Sequence, residues 1–200
     1  IYKPQLDRQN TFNSVNFNSI TSDNEGNLWI GTDHSGINIF NKRTLRVKCI
    51  DRTDTTGMAI LDNNINYLFT DSKNRIWICS FGGLNRYDTE TSEMITYTDN
   101  YAGGSPYPFG TVSYAYEDKN GKIMIGTWGN GLYCYNEDAK DFTQLFMTEN
   151  SETGDTINRV VRILQDQAGN YWLGTWEGGL FKTRIEDYGK IEVLERYHVD

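Results

Sequence analysis

The chain has 200 residues, of which 38% are hydrophobic and 14% aromatic, and its formal net charge is −8 at pH 7. This composition argues against intrinsic disorder, and no apolar run approaches the roughly 20 residues of a membrane-spanning helix. The negative charge disfavours nucleic acids and anionic membrane surfaces as partners. The 19 glycines together with the aromatic content favour short strands joined by tight turns.

The first twelve residues, 1–12, are predicted to be the end of a preceding repeat and the link that follows it. Ile1-Tyr2-Lys3 matches the last strand of a later repeat, where Ile95-Thr96-Tyr97 stands at the same place. The chain begins without Met and ends directly after a strand-like run. We therefore expect a segment of a longer protein.

Four copies of one pattern fill the rest of the chain, and their leading aspartates are about 48 residues apart. The copies of the pattern are Asp23–Thr32, Asp71–Ser80, Asp118–Thr127 and Asp166–Thr175. Four copies in register are a much stronger signal than any single one. The repeating units are predicted to span residues 13–61, 62–109, 110–156 and 157–200.

Each unit is predicted to fold into four strands, named a to d in chain order. The D-x-x-G segment is a tight turn between a and b, because Asp can accept bonds from the amides that follow and Gly accepts positive φ. The residues at the Gly position are Gly26, Asn74, Gly121 and Gly169. A second Gly-rich turn joins b to c. No segment has a convincing 3.6-residue period, so the predicted class is all-β.

Strand b carries a large apolar residue at the same place in every unit. These residues are Trp29, Trp77, Met124 and Trp172. A period of 40–50 residues with four strands is typical of β-propeller blades, whose sheets pack face to face around an axis. We predict that the large residues fill the space between blades, and that a small residue two positions later allows close packing. Since propellers have typically four to eight blades, the four units are predicted to be a segment of a larger propeller.

The pattern D-x-x-G-N-L-W-I-G-T, followed by Gly-Gly-Leu and an aromatic residue, resembles the two-component-regulator propeller repeat. The resemblance covers essentially the whole chain. The second copy departs from the pattern at Asn74, Cys79 and Ser80, and the third departs at Met124. These departures affect packing and turns, so they leave the predicted fold in place.

The resemblance implies the periplasmic sensor region of a hybrid two-component histidine kinase from Bacteroidetes. In that family two large propellers precede a β-sandwich domain, a membrane helix, a kinase and a response regulator with a DNA-binding output. The remaining blades and sensor domains are then partners of this segment. The family's ligands are mostly glycans released from polysaccharides, which implies control of the genes that use them.

The turns between strands b and c provide the candidate ligand-binding residues. If strand a runs from top to bottom, these turns lie on the top face, where propeller ligands usually bind. Phe81, Trp128 and Trp176 directly follow strand b, and their rings could stack on the C–H faces of a sugar. Asn130 and Glu177 stand beside them and could bond hydroxyl groups.

Three further residues complete the candidate site. Asn158 and Arg159 precede the last strand a, and Arg159 could bind a carboxylate or sulfate of an acidic sugar. His34 lies in the first b–c turn. The alternative interpretation is that the aromatic residues cap the blades or pack against another domain, and that Arg159 is solvated or bonded to a loop.

Three classes of function stay open: a glycan-sensing module, a structural or homodimerising scaffold, and a carbohydrate-active lyase or glycosidase. Catalysis is disfavoured, because the two histidines, His34 and His198, are far apart and neither belongs to a metal-binding motif. Cys49, Cys79 and Cys134 lack a C-x-x-C spacing, and the last two are predicted to be buried. No catalytic residue, metal or cofactor is predicted.

Overall fold

The computed structural model describes residues 11–97, 109–147, 158–185 and 189–198. Within these ranges it contains sixteen β-strands and no helix, which confirms the predicted all-β class. The chain divides into two compact units, residues 1–98 (unit 1) and 99–200 (unit 2), and each holds two four-stranded blades. The strand predicted at residues 1–3 lies outside the described residues. The described part of the chain has no helix with the length and hydropathy needed to cross a membrane.

Unit 1 consists of two antiparallel meanders. The first contains β1 (Phe17–Ser22), β2 (Leu28–Thr32), β3 (Ile37–Asn41) and β4 (Arg46–Ile50). The second contains β5 (Ile65–Thr70), β6 (Arg75–Ser80), β7 (Gly83–Asp88) and β8 (Glu93–Tyr97). All six residues of β6 are buried, as expected for a central strand that is covered on both faces.

Unit 2 repeats the same order of strands. Its first blade contains β9 (Val112–Glu117), β10 (Ile123–Thr127), β11 (Leu132–Asn136) and β12 (Asp141–Met147). Its second contains β13 (Val160–Gln165), β14 (Tyr171–Thr175), β15 (Gly179–Ile185) and β16 (Lys190–Tyr197). The outer strands β12 and β16 pair in parallel, which joins the two blades into one eight-stranded sheet. The two blades of unit 1 remain separate sheets.

The D-x-x-G turn is held by the carboxylate of its aspartate. In every copy one carboxylate oxygen accepts a bond from the backbone N–H four residues later. These bonds run from Asn27 to Asp23 (2.8 Å), Arg75 to Asp71 (2.9 Å), Lys122 to Asp118 (2.8 Å) and Asn170 to Asp166 (2.9 Å). The fourth turn residue has positive φ in all copies, including Asn74 at 58°. The predicted turn chemistry is therefore present in the structure.

The second carboxylate oxygen of the aspartate binds strand b. The indole Nε1–H of the tryptophan six residues later donates to it in three copies. These bonds are Trp29 to Asp23 (3.0 Å), Trp77 to Asp71 (2.8 Å) and Trp172 to Asp166 (3.0 Å). Each of these aspartates thus fixes both the turn and the orientation of the large ring. The sequence indicated the turn but not the bond to the indole.

The third copy has Met124 in place of tryptophan and cannot make this bond. The hydroxyl of Tyr171 in the next blade donates to Asp118 instead, at 2.5 Å. Asp118 is 5% exposed, so a polar group that would otherwise be costly to bury is satisfied by the neighbouring blade. The departure at Met124 thus changes an intra-blade bond into an inter-blade one.

The blades of each unit pack as the repeat predicts. In unit 1 the Trp29 ring lies 5.0 Å from that of Tyr87 in the next blade, measured between centroids. A Cβ atom at Gly31 would lie 2.5 Å from Cγ2 of Ile65, so only glycine allows this approach. In unit 2 Met124 joins a core with residues of the following blade, including Leu173. Trp172 is only partly buried, and Tyr197 of the same blade stacks on its ring with the centroids 5.9 Å apart.

Candidate ligand-binding site

The residue directly after strand b has the same backbone anchor in all four blades. Its N–H donates to a carbonyl of the segment that leads into strand a of the same blade. These bonds are Asp33 to Asn16 (3.2 Å), Phe81 to Asn64 (3.2 Å), Trp128 to Thr111 (2.8 Å) and Trp176 to Arg159 (2.9 Å). The four side chains therefore stand at structurally equivalent positions of their blades.

In unit 2 the two tryptophans at this position form a pair. The centroids of the Trp128 and Trp176 rings are 5.2 Å apart, and the ring planes are inclined by 47°. Trp128 is 41% exposed and Trp176 is 52% exposed. A pair of large aromatic rings that keeps this much surface in water can receive the apolar face of a ligand.

A charged pair stands beside the tryptophans. The Arg159 guanidinium carbon lies 5.9 Å from the centroid of the Trp128 ring. Arg159 Nη1 is 2.9 Å from Glu177 Oε2, and both side chains are largely exposed. The guanidinium offers only donors and the carboxylate only acceptors, so the two together can bond a hydroxyl group, which is both. Trp128, Trp176, Arg159 and Glu177 are called the aromatic–ion-pair site below.

The remaining residues predicted for unit 2 support this site. The carbonyl of Asn158 accepts bonds from the N–H groups of Gly129 (2.7 Å) and Gly131 (2.9 Å), which belong to the turn of the preceding blade. Asn130 donates its N–H to Thr127 Oγ1 at 3.0 Å, and its carbonyl accepts from Gln144 at 2.9 Å. Asn130 and Asn158 therefore hold the turn in place through their backbones.

The b–c turns of the first, third and fourth blades have a residue in a left-handed conformation directly after the anchored position. Gly129 takes it in the third blade with φ of 127°, whereas His34 and Glu177 adopt φ of 73° and 66° in the first and fourth. Residues with a Cβ atom are strained in this region. In both cases the strained residue contacts a charged neighbour. These are Asp33 for His34, with Nδ1 2.5 Å from Oδ1, and Arg159 for Glu177.

The structure thus brings together four of the eight predicted site residues, and two more support them. The other two predicted residues, His34 and Phe81, belong to unit 1, where Phe81 is 53% exposed. Two contacts escaped the sequence reasoning: the ion pair between Arg159 and Glu177, and the pairing of His34 with Asp33. A register of the repeats could have suggested the first, because both residues flank Trp176, one through its backbone anchor and one in sequence.

The cysteines do not contribute to the site. Cys79 and Cys134 are buried and Cys49 is exposed, and all three are free thiols. Burial raises the pKa of Cys79 far above its usual range and that of Cys134 to about 11, so both stay protonated. This agrees with the predicted structural role of the two buried cysteines. Within the described ranges no three His, Cys, Asp or Glu side chains come together as metal ligands would.

Comparison with known proteins gives a consistent picture. The family model for the two-component regulator propeller matches residues 11–34, 59–82 and 154–177. These segments cover strand a, the D-x-x-G turn and strand b of the three blades that carry tryptophan. A protein named histidine kinase P4 from Formosa agariphila is 31% identical over 159 residues, which are 78% of this chain and 11% of that protein.

Solved structures share the fold. A crystal structure described as the extracellular domain of a hybrid two-component system from B. thetaiotaomicron has a TM-score of 0.72 at 20% identity, over 93% of this chain and 24% of that one. PorZ, a surface component of the type-IX secretion system of Porphyromonas gingivalis, has a TM-score of 0.66 at 16% identity, over 90% and 27%.

Virginiamycin B lyase from Staphylococcus aureus has a TM-score of 0.63 at 15% identity, over 92% of this chain and 57% of that one. The chain spans about a tenth of the curated relative and a quarter of the first of these structures. The repeated turn chemistry, the four-stranded blades and the matched segments agree with one another. Three of the four blades therefore contain two-component regulator propeller repeats.

Proposed function

We propose that this chain is part of the extracytoplasmic sensor region of a hybrid two-component system, and that unit 2 binds an oligosaccharide released from a polysaccharide. The similarity to a histidine kinase and the fold shared with an extracellular two-component domain support the first part. The parent protein would then be a kinase of the inner membrane with this segment in the periplasm. Ligand binding would control the genes that use the polysaccharide.

The observation that carries the proposed ligand class is the aromatic–ion-pair site. Sugars offer C–H faces, which pack on aromatic rings, and hydroxyl groups, which both donate and accept hydrogen bonds. Trp128 and Trp176 provide the rings, and Arg159 and Glu177 provide a donor and an acceptor next to them. This combination of two exposed indoles and a polar pair suits a saccharide better than it suits a purely apolar ligand.

A binding screen on the 200-residue chain tests the proposal. Neutral and acidic oligosaccharides would be added in a thermal-shift assay, because a ligand that binds only the folded state raises the melting temperature. Compounds that raise it would be titrated by calorimetry, and the mixtures analysed for products by chromatography. We expect saturable binding without product formation.

Two results would contradict the proposal. If no oligosaccharide binds, the chain is a scaffold or a dimerisation surface, and analytical ultracentrifugation would then report whether it self-associates. If the oligosaccharide is cleaved, the chain is a carbohydrate-active enzyme.

The variants Trp128→Ala and Trp176→Ala test whether binding takes place at the aromatic–ion-pair site. Tyr197→Ala is their control, because Tyr197 is an exposed aromatic residue (47%) on the outer strand of the same unit.

A further inference from the structure

The aromatic–ion-pair site carries a positive charge that is already neutralised within it. The Arg159 guanidinium lies over the Trp128 ring on one side and bonds Glu177 at 2.9 Å on the other. Glu177 is the more exposed partner, with 74% of its side chain accessible against 45% for Arg159. A ligand on the tryptophan pair therefore meets a carboxylate as well as a guanidinium.

The backbone conformation of Glu177 indicates that its carboxylate has a functional role. Its φ of 66° is left-handed, and the equivalent turn of the preceding blade has Gly129 at that place. A residue kept in a conformation that glycine adopts without strain points to a role for its side chain. The side chain of Glu177 contacts Arg159, so the role concerns the charge of this site.

The charge balance distinguishes acidic from uncharged sugars. A carboxylate or sulfate placed near Arg159 would also be close to Glu177, and like charges brought together oppose binding. Hydroxyl groups have no such penalty, because they can accept from the guanidinium and donate to the carboxylate at once. The chain as a whole, with a net charge of −8, also repels anionic ligands.

We infer that the aromatic–ion-pair site takes uncharged saccharides and that Glu177 is the specificity-determining residue that excludes acidic ones. This inference rests on the proposed function, since it names the class of ligand for the same site. It differs from one of the possibilities that the sequence left open, in which Arg159 binds a carboxylate or sulfate of an acidic sugar. The difference arises because the sequence did not indicate that Glu177 forms an ion pair with the Arg159 guanidinium.

The test compares pairs of oligosaccharides in which one member carries an acidic group and the other has that group esterified, reduced or removed. Three pairs serve as probes: oligogalacturonates and their methyl esters, glucuronic-acid-substituted xylo-oligosaccharides and their carboxyl-reduced forms, and sulfated and desulfated agar oligosaccharides. Each is titrated by calorimetry into the wild-type chain and into Glu177→Gln. We expect the wild type to bind the uncharged member of a recognised pair at least about tenfold more tightly.

The variant removes the negative charge and keeps the size of the side chain. In Glu177→Gln the guanidinium is available to an anion, so the preference for the uncharged member is expected to shrink or reverse, and added salt to weaken the new anion binding. Glu195→Gln is the matched control, because it removes the same charge from another ion pair of the same blade, 2.7 Å from Lys182. This control should keep the wild-type ratio. The double variant Glu177→Gln with Arg159→Gln should lose the gained anion affinity.

The possible outcomes distinguish failure of this inference from failure of the proposed function. Tighter binding of the charged member by the wild type, or an unchanged ratio in Glu177→Gln, overturns the inference and leaves the proposed function intact. Absence of binding for every probe, together with a negative thermal-shift screen, overturns the proposed function and the inference with it. A wild-type preference for uncharged probes that Glu177→Gln abolishes supports both.

Discussion

The two units of the chain carry different side chains on the same turn. In unit 1 the position after strand b holds Asp33, paired with His34, and Phe81. In unit 2 the equivalent positions hold Trp128 and Trp176, which contact each other. The backbone anchors of these turns are the same in all four blades, so the scaffold does not depend on what the turn displays. Binding chemistry can therefore vary from blade to blade while the fold stays constant.

The units differ in their cores as well. Trp77 of unit 1 is fully buried, and two arginine side chains lie over its ring, Arg75 and Arg86, at 5.6 and 5.7 Å. Trp172 of unit 2 makes the same bond to its turn aspartate but is only partly buried. The hydrogen bond alone thus does not determine how much each tryptophan contributes to stability. Burial determines this contribution, because the hydrophobic part of the free energy of unfolding is proportional to the apolar area removed from water.

The largest effect is expected from removal of the buried ring. Trp77→Ala should lower the free energy of unfolding by about 3–5 kcal/mol, because it leaves a cavity at a fully buried site. Trp172→Ala removes the same side chain from a partly exposed site and should cost much less. Urea denaturation of both variants measures the difference. Equal losses would show that the motif, and not burial, sets the contribution.

The next largest loss of stability is expected when the hydrogen bond from Tyr171 to Asp118 is removed. In the third copy this bond takes the place of the bond that the tryptophan indole makes in the others. Tyr171→Phe leaves the buried Asp118 carboxylate without the hydroxyl that now donates to it, and should cost about 1–3 kcal/mol. Tyr114→Phe is the control, since it removes a tyrosine hydroxyl from β9, the strand that directly precedes Asp118. The same denaturation experiment applies. A loss no greater than that of the control would mean that the inter-blade bond does not replace the indole.

A smaller effect, on the affinity for oligosaccharide, is expected when the aromatic rings of the b–c turns are removed. Trp128→Ala and Trp176→Ala should each weaken oligosaccharide binding by about tenfold, which corresponds to roughly 1.4 kcal/mol. Phe81→Ala, at the equivalent position of unit 1, should have a smaller effect than either. Calorimetric titration of the three variants makes the comparison. A larger effect of Phe81→Ala would assign the ligand to unit 1.

The smallest expected effect is a change in the pKa of the Asp166 carboxyl group. Bonds from the Trp172 indole and the Asn170 amide lower the pKa of Asp166 to about 2 from its ordinary 3.8. Because the pKa is lower in the folded state, the stabilisation is fully present above pH 4 and is lost as the pH falls through about 2. Trp172→Phe should raise the pKa of Asp166, as followed by carbon NMR of the carboxyl group. Trp128→Phe is the control and should leave the pKa of Asp166 unchanged.

The sequence predicted the features that recur and missed those that depend on one blade. The four D-x-x-G turns and the all-β class followed from the repeat, because identical local chemistry gives identical local structure. The bond between Tyr171 and Asp118 did not, because it joins residues 53 positions apart and occurs once. The burial of Trp77 and the exposure of Trp172 also differ although their motif is the same. The side chains around each ring differ, with Arg75 and Arg86 over Trp77 and Lys182 over Trp172, and the motif carries no information about them.

The candidate site was predictable to a similar extent. The aromatic residues after strand b were found because the repeat aligns them, and this placed Trp128 and Trp176 at equivalent positions. The ion pair of Arg159 with Glu177 was missed because the two residues lie in different segments of the sequence, although an alignment of the repeats places one just before strand a and the other just after Trp176. This ion pair is the basis for the inference that an oligosaccharide on the site is uncharged, whereas the sequence left open an acidic sugar bound by Arg159.

The central claim, that the turns of unit 2 bind a saccharide, is tested most directly by NMR of the tryptophan indoles. The chain has five tryptophans, and each gives one indole N–H signal that a single Trp→Phe variant assigns. On titration with the tightest-binding neutral oligosaccharide of the thermal-shift screen, the signals of Trp128 and Trp176 should move. Those of Trp29, Trp77 and Trp172, which are bonded to aspartates, should stay in place. Unmoved signals for Trp128 and Trp176 in the presence of saturating ligand would contradict the claim.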